Sequence, residues 1–208
     1  MAKMTAGPLG GELSGRVGNA VFVRTANGTV VRDLVIPHDP QTPAQRAFRQ
    51  RQSLAARAWS NLDPSAAALW AAYAKGVGMR PMNAFTTLYG RLLRLSPAAP
   101  VPLAPSALPF FGDVVSASTA GTTTGVTFAS TGPNAPGVVT ELLLQPLASR
   151  NRRAYRDKYR TQAFVAFPSA SSRAVPFPPG WVACAYRFVS ASTGQATEIA
   201  ELGVVKVG

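Results

Sequence analysis

Between Pro43 and Leu95 the apolar side chains recur every three to four residues, and beyond Asp113 they alternate every second residue. The first spacing gathers them on one face of a helix, the second on one face of a strand. The change falls in residues 96–109, a window that holds five prolines. Proline has a fixed φ and no N–H, so this window is expected to be extended, polyproline-like and semi-rigid. The pattern predicts an α+β chain of two modules. Residues 1–15 form a flexible Gly-rich arm and residues 16–96 a β-hairpin followed by three helices. Residues 97–109 form the linker and residues 110–208 an antiparallel β-sandwich.

Arg16–Thr25 and Thr29–Ile36 read as the strands of the hairpin, with Asn27-Gly28 between them supplying the positive φ of a type I′ turn. Two strands alone are marginal in water, so the hairpin must lie on the helices, on the other module or on a neighbouring chain. Thr42-Pro43-Ala44-Gln45 reads as a capping box opening a helix from Pro43 to about Leu62, with Ala44, Ala47, Phe48, Ala55, Ala58, Trp59 and Leu62 on its face. Asp63-Pro64 starts a second helix that buries Leu69, Trp70 and Tyr73 and ends at Gly76. A third, from about Met82 to Leu95, uses Phe85, Leu88, Tyr89, Leu92 and Leu95. Trp59, Trp70 and Tyr73 are read as helix packing. A three-helix module with a basic helix has the outline of a DNA-binding domain, but the second helix is nearly all alanine and apolar, which is unsuited to reading bases.

Beyond the prolines, strands are expected at 113–118, 125–129, 138–144, 161–167, 181–189 and 197–207, separated by Gly, Pro, Asn and Ser. Six or seven short strands in this span read as a sandwich of immunoglobulin or fibronectin type. The run Trp181 to Val189 is expected to be a central strand that buries Cys184.

Composition narrows the chemistry. Cys184 and His38 are the single cysteine and single histidine, so the sequence provides no disulfide, no cysteine-rich metal site and a poor basis for a nucleophile–base pair. Nine carboxylates scattered without pairing complete no catalytic constellation, and no catalytic residue, metal ligand or cofactor motif is read. The opening ten residues contain one Lys and no apolar core, so no signal peptide is expected, and no run is long enough to span a bilayer. Synthesis in the cytoplasm and no membrane partner are the expectations.

Charge changes the picture more. The chain has 21 Lys and Arg against nine Asp and Glu, a net charge of +12, and the excess favours polyanions or acidic protein surfaces. It concentrates in Arg150-Asn151-Arg152-Arg153-Ala154-Tyr155-Arg156-Asp157-Lys158-Tyr159-Arg160, with six basic residues, one acid and two tyrosines. Interleaved Arg and Tyr can clamp phosphates and stack on bases, or can grip an acidic protein surface. A plain solvated loop is the third reading. The candidate partner-binding residues are Arg150, Arg152, Arg153, Tyr155, Arg156, Lys158, Tyr159 and Arg160, with Arg46 and Arg49 on the first helix.

The string Gly15-Arg16-Val17-Gly18-Asn19-Ala20-Val21-Phe22, followed by Val31-Arg32, Pro40-Gln41-Thr42-Pro43-Ala44-Gln45, Arg49 and Trp59, resembles a family of phage and prophage proteins of about this length. Members of that family share a "GKVGN" opening, an "NPRTPAQ" helix start and a basic-aromatic helix. This chain has Arg16 for the Lys, and His38-Asp39-Pro40-Gln41 where Asn-Pro-Arg is common. The match covers roughly residues 10–75 and implies a structural protein of a virion or prophage, with no catalytic residues to carry over. The expectation is a virion component, such as a capsid decoration protein, that binds coat or other virion proteins and has scope for self-association. A sequence-tolerant nucleic-acid-binding protein is the alternative.

Overall fold

The computed structural model describes residues 3–5, 12–25, 28–36 and 38–208. The chain is α+β, with three helices and antiparallel sheets. It divides into two units, Met1–Gln45 and Arg46–Gly208.

In the first unit a four-stranded antiparallel meander runs β1 (Lys3–Thr5), β2 (Glu12–Val17), β3 (Ala20–Thr25) and β4 (Gly28–Asp33), neighbours in that order. The expected arm is therefore partly strand: Lys3 lies opposite Ser14 and Thr5 opposite Glu12. The expected single strand Arg16–Thr25 is itself a hairpin. Val17 pairs with Ala20 across Gly18-Asn19, and Gly18 takes φ +57°, a conformation glycine adopts without Cβ strain. Gly-Asn is a hairpin signal in its own right. The next hairpin exists as expected, with Thr25 opposite Gly28. The expected type I′ turn includes Asn27, which lies outside the described residues.

Helix α1 (Pro43–Ser60) opens on the expected capping box: Thr42 N–H donates to Gln45 Oε1 (3.0 Å) and Gln45 N–H to Thr42 Oγ1 (3.3 Å). α2 (Pro64–Gly76) is capped by Asp63, whose Oδ1 accepts from the Ser65 N–H at 2.8 Å and hydroxyl at 2.6 Å. α3 (Pro81–Leu95) completes the set. Their shared core is Ala55, Trp70, Ala74, Ala84, Phe85, Leu88, Tyr89, Leu92 and Leu93. Phe85 is its centre, with ring centroids at 5.1 Å from Trp70 and 5.5 Å from both Trp59 and Tyr89. The expected face of α1 holds only in its second half, since Phe48 is exposed, as is Leu69 on α2.

Two antiparallel sheets follow. One is β11-β10-β7-β8, built from β7 (Val138–Leu147), β8 (Arg160–Val165), β10 (Gly180–Ser190) and β11 (Ala200–Val207). The other is β5-β6-β9, from β5 (Ala117–Gly121), β6 (Gly125–Ser130) and β9 (Ser172–Pro176). They share one core, in which Val126, Phe128 and Val175 of the smaller sheet meet Leu142, Leu144, Val182, Cys184 and Val207 of the larger. The alternation of β7 and β10 sends these residues inward and Glu141, Leu143, Ala183, Ala185 and Arg187 to the outer face. The strand expected at 113–118 begins later because Asp113 holds a loop instead. Its carboxylate accepts from the N–H groups of Val114 and Ala135, both at 2.7 Å, and from Asn134 Nδ2 at 3.3 Å.

The proline window is not a free spacer. Trp70 Nε1–H donates to Pro102 O (3.3 Å), the Tyr89 hydroxyl donates to Ala99 O (3.4 Å), and Gln195 Nε2 donates to Leu108 O (3.2 Å). Helices and sheets therefore belong to one unit, and the chain's division falls at Gln45/Arg46 rather than in the prolines. The window is not the continuous extended run expected: it turns at residues 97–98, where the Ala99 N–H donates to Ser96 O at 3.0 Å, and bends at 103–104 and 107–108, which brings the Ala99 and Pro102 carbonyls to the Tyr89 and Trp70 donors. No helix among the described residues is long and apolar enough to cross a membrane.

Candidate functional site: a pinned Arg/Tyr loop and a buried charge cluster

The Arg/Tyr loop crosses the outer face of the larger sheet and is held there at two points. Gln145, buried on β7, accepts from the Tyr155 N–H at 3.0 Å. Tyr159 inserts among Leu143, Ala183 and Ala185, with Leu147, Ala154 and Ile199 against the same cluster. Tyr159 is 7% exposed, so the structure removes it from the partner-binding candidates. Its ring has become core because an aromatic anchor is what an otherwise polar loop needs to cover an apolar sheet face. Burial, with the Glu201 and Cys184 charges adding, pushes its hydroxyl up to about 12.

Between the anchors the cations separate into spent and available. Arg156 pairs with Glu198 (3.3 Å), Lys158 with Asp157 (3.7 Å), and Arg160 donates to the carbonyls of Asp157 (3.0 Å) and Tyr159 (3.2 Å). Arg153 lies over the Tyr155 ring, its Cζ 5.8 Å from the centroid. Arg150 and Arg152 are exposed and have no side-chain partner among the described residues. The exposed part of the loop whose side chains hold no ion pair or hydrogen bond among the described residues is thus Arg150, Arg152, Arg153 and Tyr155, the last two stacked on each other. Arg46 and Arg49 are exposed on α1, a separate element.

A second charge cluster escaped the sequence reading. Glu141 on β7 is fully buried and lies directly opposite Arg187 on β10, whose Nε donates to its Oε2 at 2.5 Å. Thr161 donates its hydroxyl to Glu141 Oε1. A bulge in β8 allows this, because Leu143 pairs with Thr161 and Leu142 with Ala163, leaving Gln162 extra and turning Thr161 to the outer face. From α3, Arg94 reaches the same carboxylate (Nη1 to Oε1, 3.7 Å), donates to Thr161 Oγ1 (2.9 Å) and lies 5.7 Å from the Phe164 ring centroid. Arg91, one turn earlier, donates to Gly194 O at 3.1 Å. Burial, reinforced by the nearby Arg187 charge, depresses the Arg91 guanidinium, and burial also depresses that of Arg94. This cluster joins helices to sheets. One signal was present: a lone Glu in Val138–Leu147 and a lone Arg in Gly180–Ser190 each interrupt an apolar strand, and a buried charge requires a partner.

Cys184 is fully buried in the inter-sheet core, and burial pushes its thiol up to about 11, the opposite of what a nucleophile needs. His38 is exposed. Among the described residues no group of three His, Cys, Asp or Glu side chains comes together. Comparison of the chain with protein-family models, with curated proteins and with solved structures gives no match.

The buried phenol and thiol define a pH dependence. Both keep their protons in the folded chain up to values near 12 and 11, against 10.0 and 9.0 ordinarily. Their contribution to stability is complete below about pH 9 and is lost as the pH rises towards 12, because the unfolded chain releases the protons first. Urea unfolding at pH 8 and pH 11 should show Tyr159→Phe losing less stability over that interval than the wild type. Equal losses would mean that the Tyr159 hydroxyl reaches solvent.

Proposed function

We propose that the chain is a structural protein of a bacteriophage virion, a capsid decoration or other particle-associated protein that grips acidic coat surfaces with its Arg/Tyr loop. In this reading it is a binding protein rather than an enzyme and works in the particle. The observation that carries the reading is the anchored loop: Tyr159 and the Gln145–Tyr155 bond fix its base, while Arg150, Arg152 and Arg153 stay exposed. A pre-ordered basic and aromatic patch loses little conformational entropy on docking, and Arg and Tyr are the side chains that dominate interface energies.

Three further features support it. The amino-terminal motifs resemble a phage family. The amino-terminal sheet exposes Val17, Val30 and Val31, apolar positions suited to covering by another chain, coat protein or a second copy. The four-plus-three antiparallel arrangement supports an immunoglobulin- or fibronectin-type sandwich, an architecture that often serves adhesion. The Arg153–Tyr155 stack also favours a second reading, sequence-tolerant binding of nucleic acid.

The test is charge reversal, Arg150→Glu, Arg152→Glu and Arg153→Glu together. Mass spectrometry of purified particles should find the wild-type chain present and the variant depleted at least about tenfold, as the loss of charge-assisted contacts implies. Far-UV circular dichroism should be unchanged. A variant that remains on particles overturns the reading, and steep salt dependence of wild-type binding to DNA would then install the nucleic-acid reading.

A further inference from the structure

We infer that a pocket between α1 and α3 binds a phosphate group, held by Arg51, Arg91 and Arg94. The pocket is about 200 Å³ and is lined by these three arginines with Phe48, Gln52, Thr86, Thr87 and Gly90. The inference is independent of the virion reading and of the Arg/Tyr loop.

Charge balance is the first argument. Arg94 and Arg187 share Glu141, the one buried carboxylate among the described residues. Arg91 uses one N–H on the Gly194 carbonyl, and Arg51 stands near enough to Arg94 to disfavour its charge. Arg91, Arg94 and Arg187 thus gather near a single carboxylate, Arg51 stands near Arg94, and Arg51, Arg91 and Arg94 line one small cavity. Such a cluster lacks a counter-anion that an oxyanion would supply. Guanidinium forks match phosphate oxygens two at a time, and one edge of Arg94 can serve Glu141 and one edge of Arg91 Gly194 while their other N–H groups remain for a ligand. Gln52 and Thr87 add uncharged polar side chains to the lining.

Gly90 is the second argument. It stands in the interior of α3, where glycine is unfavourable relative to alanine, and a Cβ built there meets no atom within 4 Å. Internal packing therefore gives no reason for the glycine. The space it leaves open belongs to the pocket, and a side chain at that position would occupy the volume a ligand needs.

The test uses the full chain and titrates inorganic phosphate at constant ionic strength, with chloride as reference, reading thermal midpoint and calorimetric heat. Phosphate should raise the midpoint saturably and chloride should not. Arg51→Gln, at a half-buried helix position, should weaken phosphate binding by about tenfold or more. Gly90→Leu should do the same with every arginine retained, whereas Arg173→Gln, exposed on β9, should bind as the wild type does. A parallel titration with phosphoserine separates sources: comparable binding assigns the site to an esterified phosphate, and loss of binding assigns it to the free ion. Non-saturable phosphate effects matched by chloride overturn the proposal. So does wild-type affinity in both Arg51→Gln and Gly90→Leu when circular dichroism shows them folded.

Discussion

Glu141→Gln should destabilise the Arg46–Gly208 unit by about 3–5 kcal/mol, the cost of removing one partner from a buried ion pair. The carboxylate is fully buried and is the shared acceptor of Arg187 Nε, Arg94 Nη1 and the Thr161 hydroxyl. Glutamine preserves the volume but leaves guanidinium groups facing a neutral amide and places an NH₂ where a donor already points. The loss should fall on the seam between helices and sheets, because Arg94 comes from α3 and Arg187 from β10. Urea unfolding monitored by tryptophan fluorescence measures it, with Trp59 and Trp70 on the helical side and Trp181 on β10. A loss below about 1 kcal/mol, the scale of an exposed pair, would show that water already reaches the carboxylate.

Gly194→Ala should be nearly as damaging, at about 2–4 kcal/mol, because strain and collision coincide there. Gly194 has φ +72°, and an added Cβ would lie 2.3 Å from the Leu88 carbonyl oxygen and 3.0 Å from its carbon. Those are backbone atoms of α3, which cannot move aside as a flexible side chain would. The glycine lets the turn between β10 and β11 touch the helix, and its own carbonyl then accepts the Arg91 guanidinium. Gly203→Ala is the informative comparison. Gly203 has φ +106°, but its added Cβ would meet nothing within 4 Å, so it carries strain alone. Thermal unfolding should rank Gly194→Ala well below Gly203→Ala. Equal midpoints would mean that the turn withdraws from α3 at little cost.

Much of the local structure was written in the sequence. The Thr42–Gln45 box, the Asp63 cap, the Phe85–Leu92 face and the alternation of Gly125 to Ala129 depend on contacts a few residues apart, so residue spacing dictates them. The Arg/Tyr loop was legible as a charge run, but its division into anchor, paired and available residues was not. Nothing local distinguishes Tyr159, which became core, from Tyr155, which stayed exposed. That outcome depends on Leu143, Ala183 and Ala185 presenting an apolar patch to the loop, and two of those three come from a strand far along the chain.

By itself the sequence determined neither the strands in residues 3–17 nor β9 at Ser172–Pro176, but it did determine the three helices and their starts, most of the later strands, the absence of a disulfide within the chain and the basic balance. These follow from backbone chemistry and residue counts. Only the tertiary structure decided that the proline window packs on Trp70 and Tyr89, and that Arg91 and Arg94 face the Glu141–Arg187 pair. Periodicity fixes which way a side chain points along its own element. It does not fix which distant element meets it there, and a buried charge or a close glycine acquires its role only from that meeting.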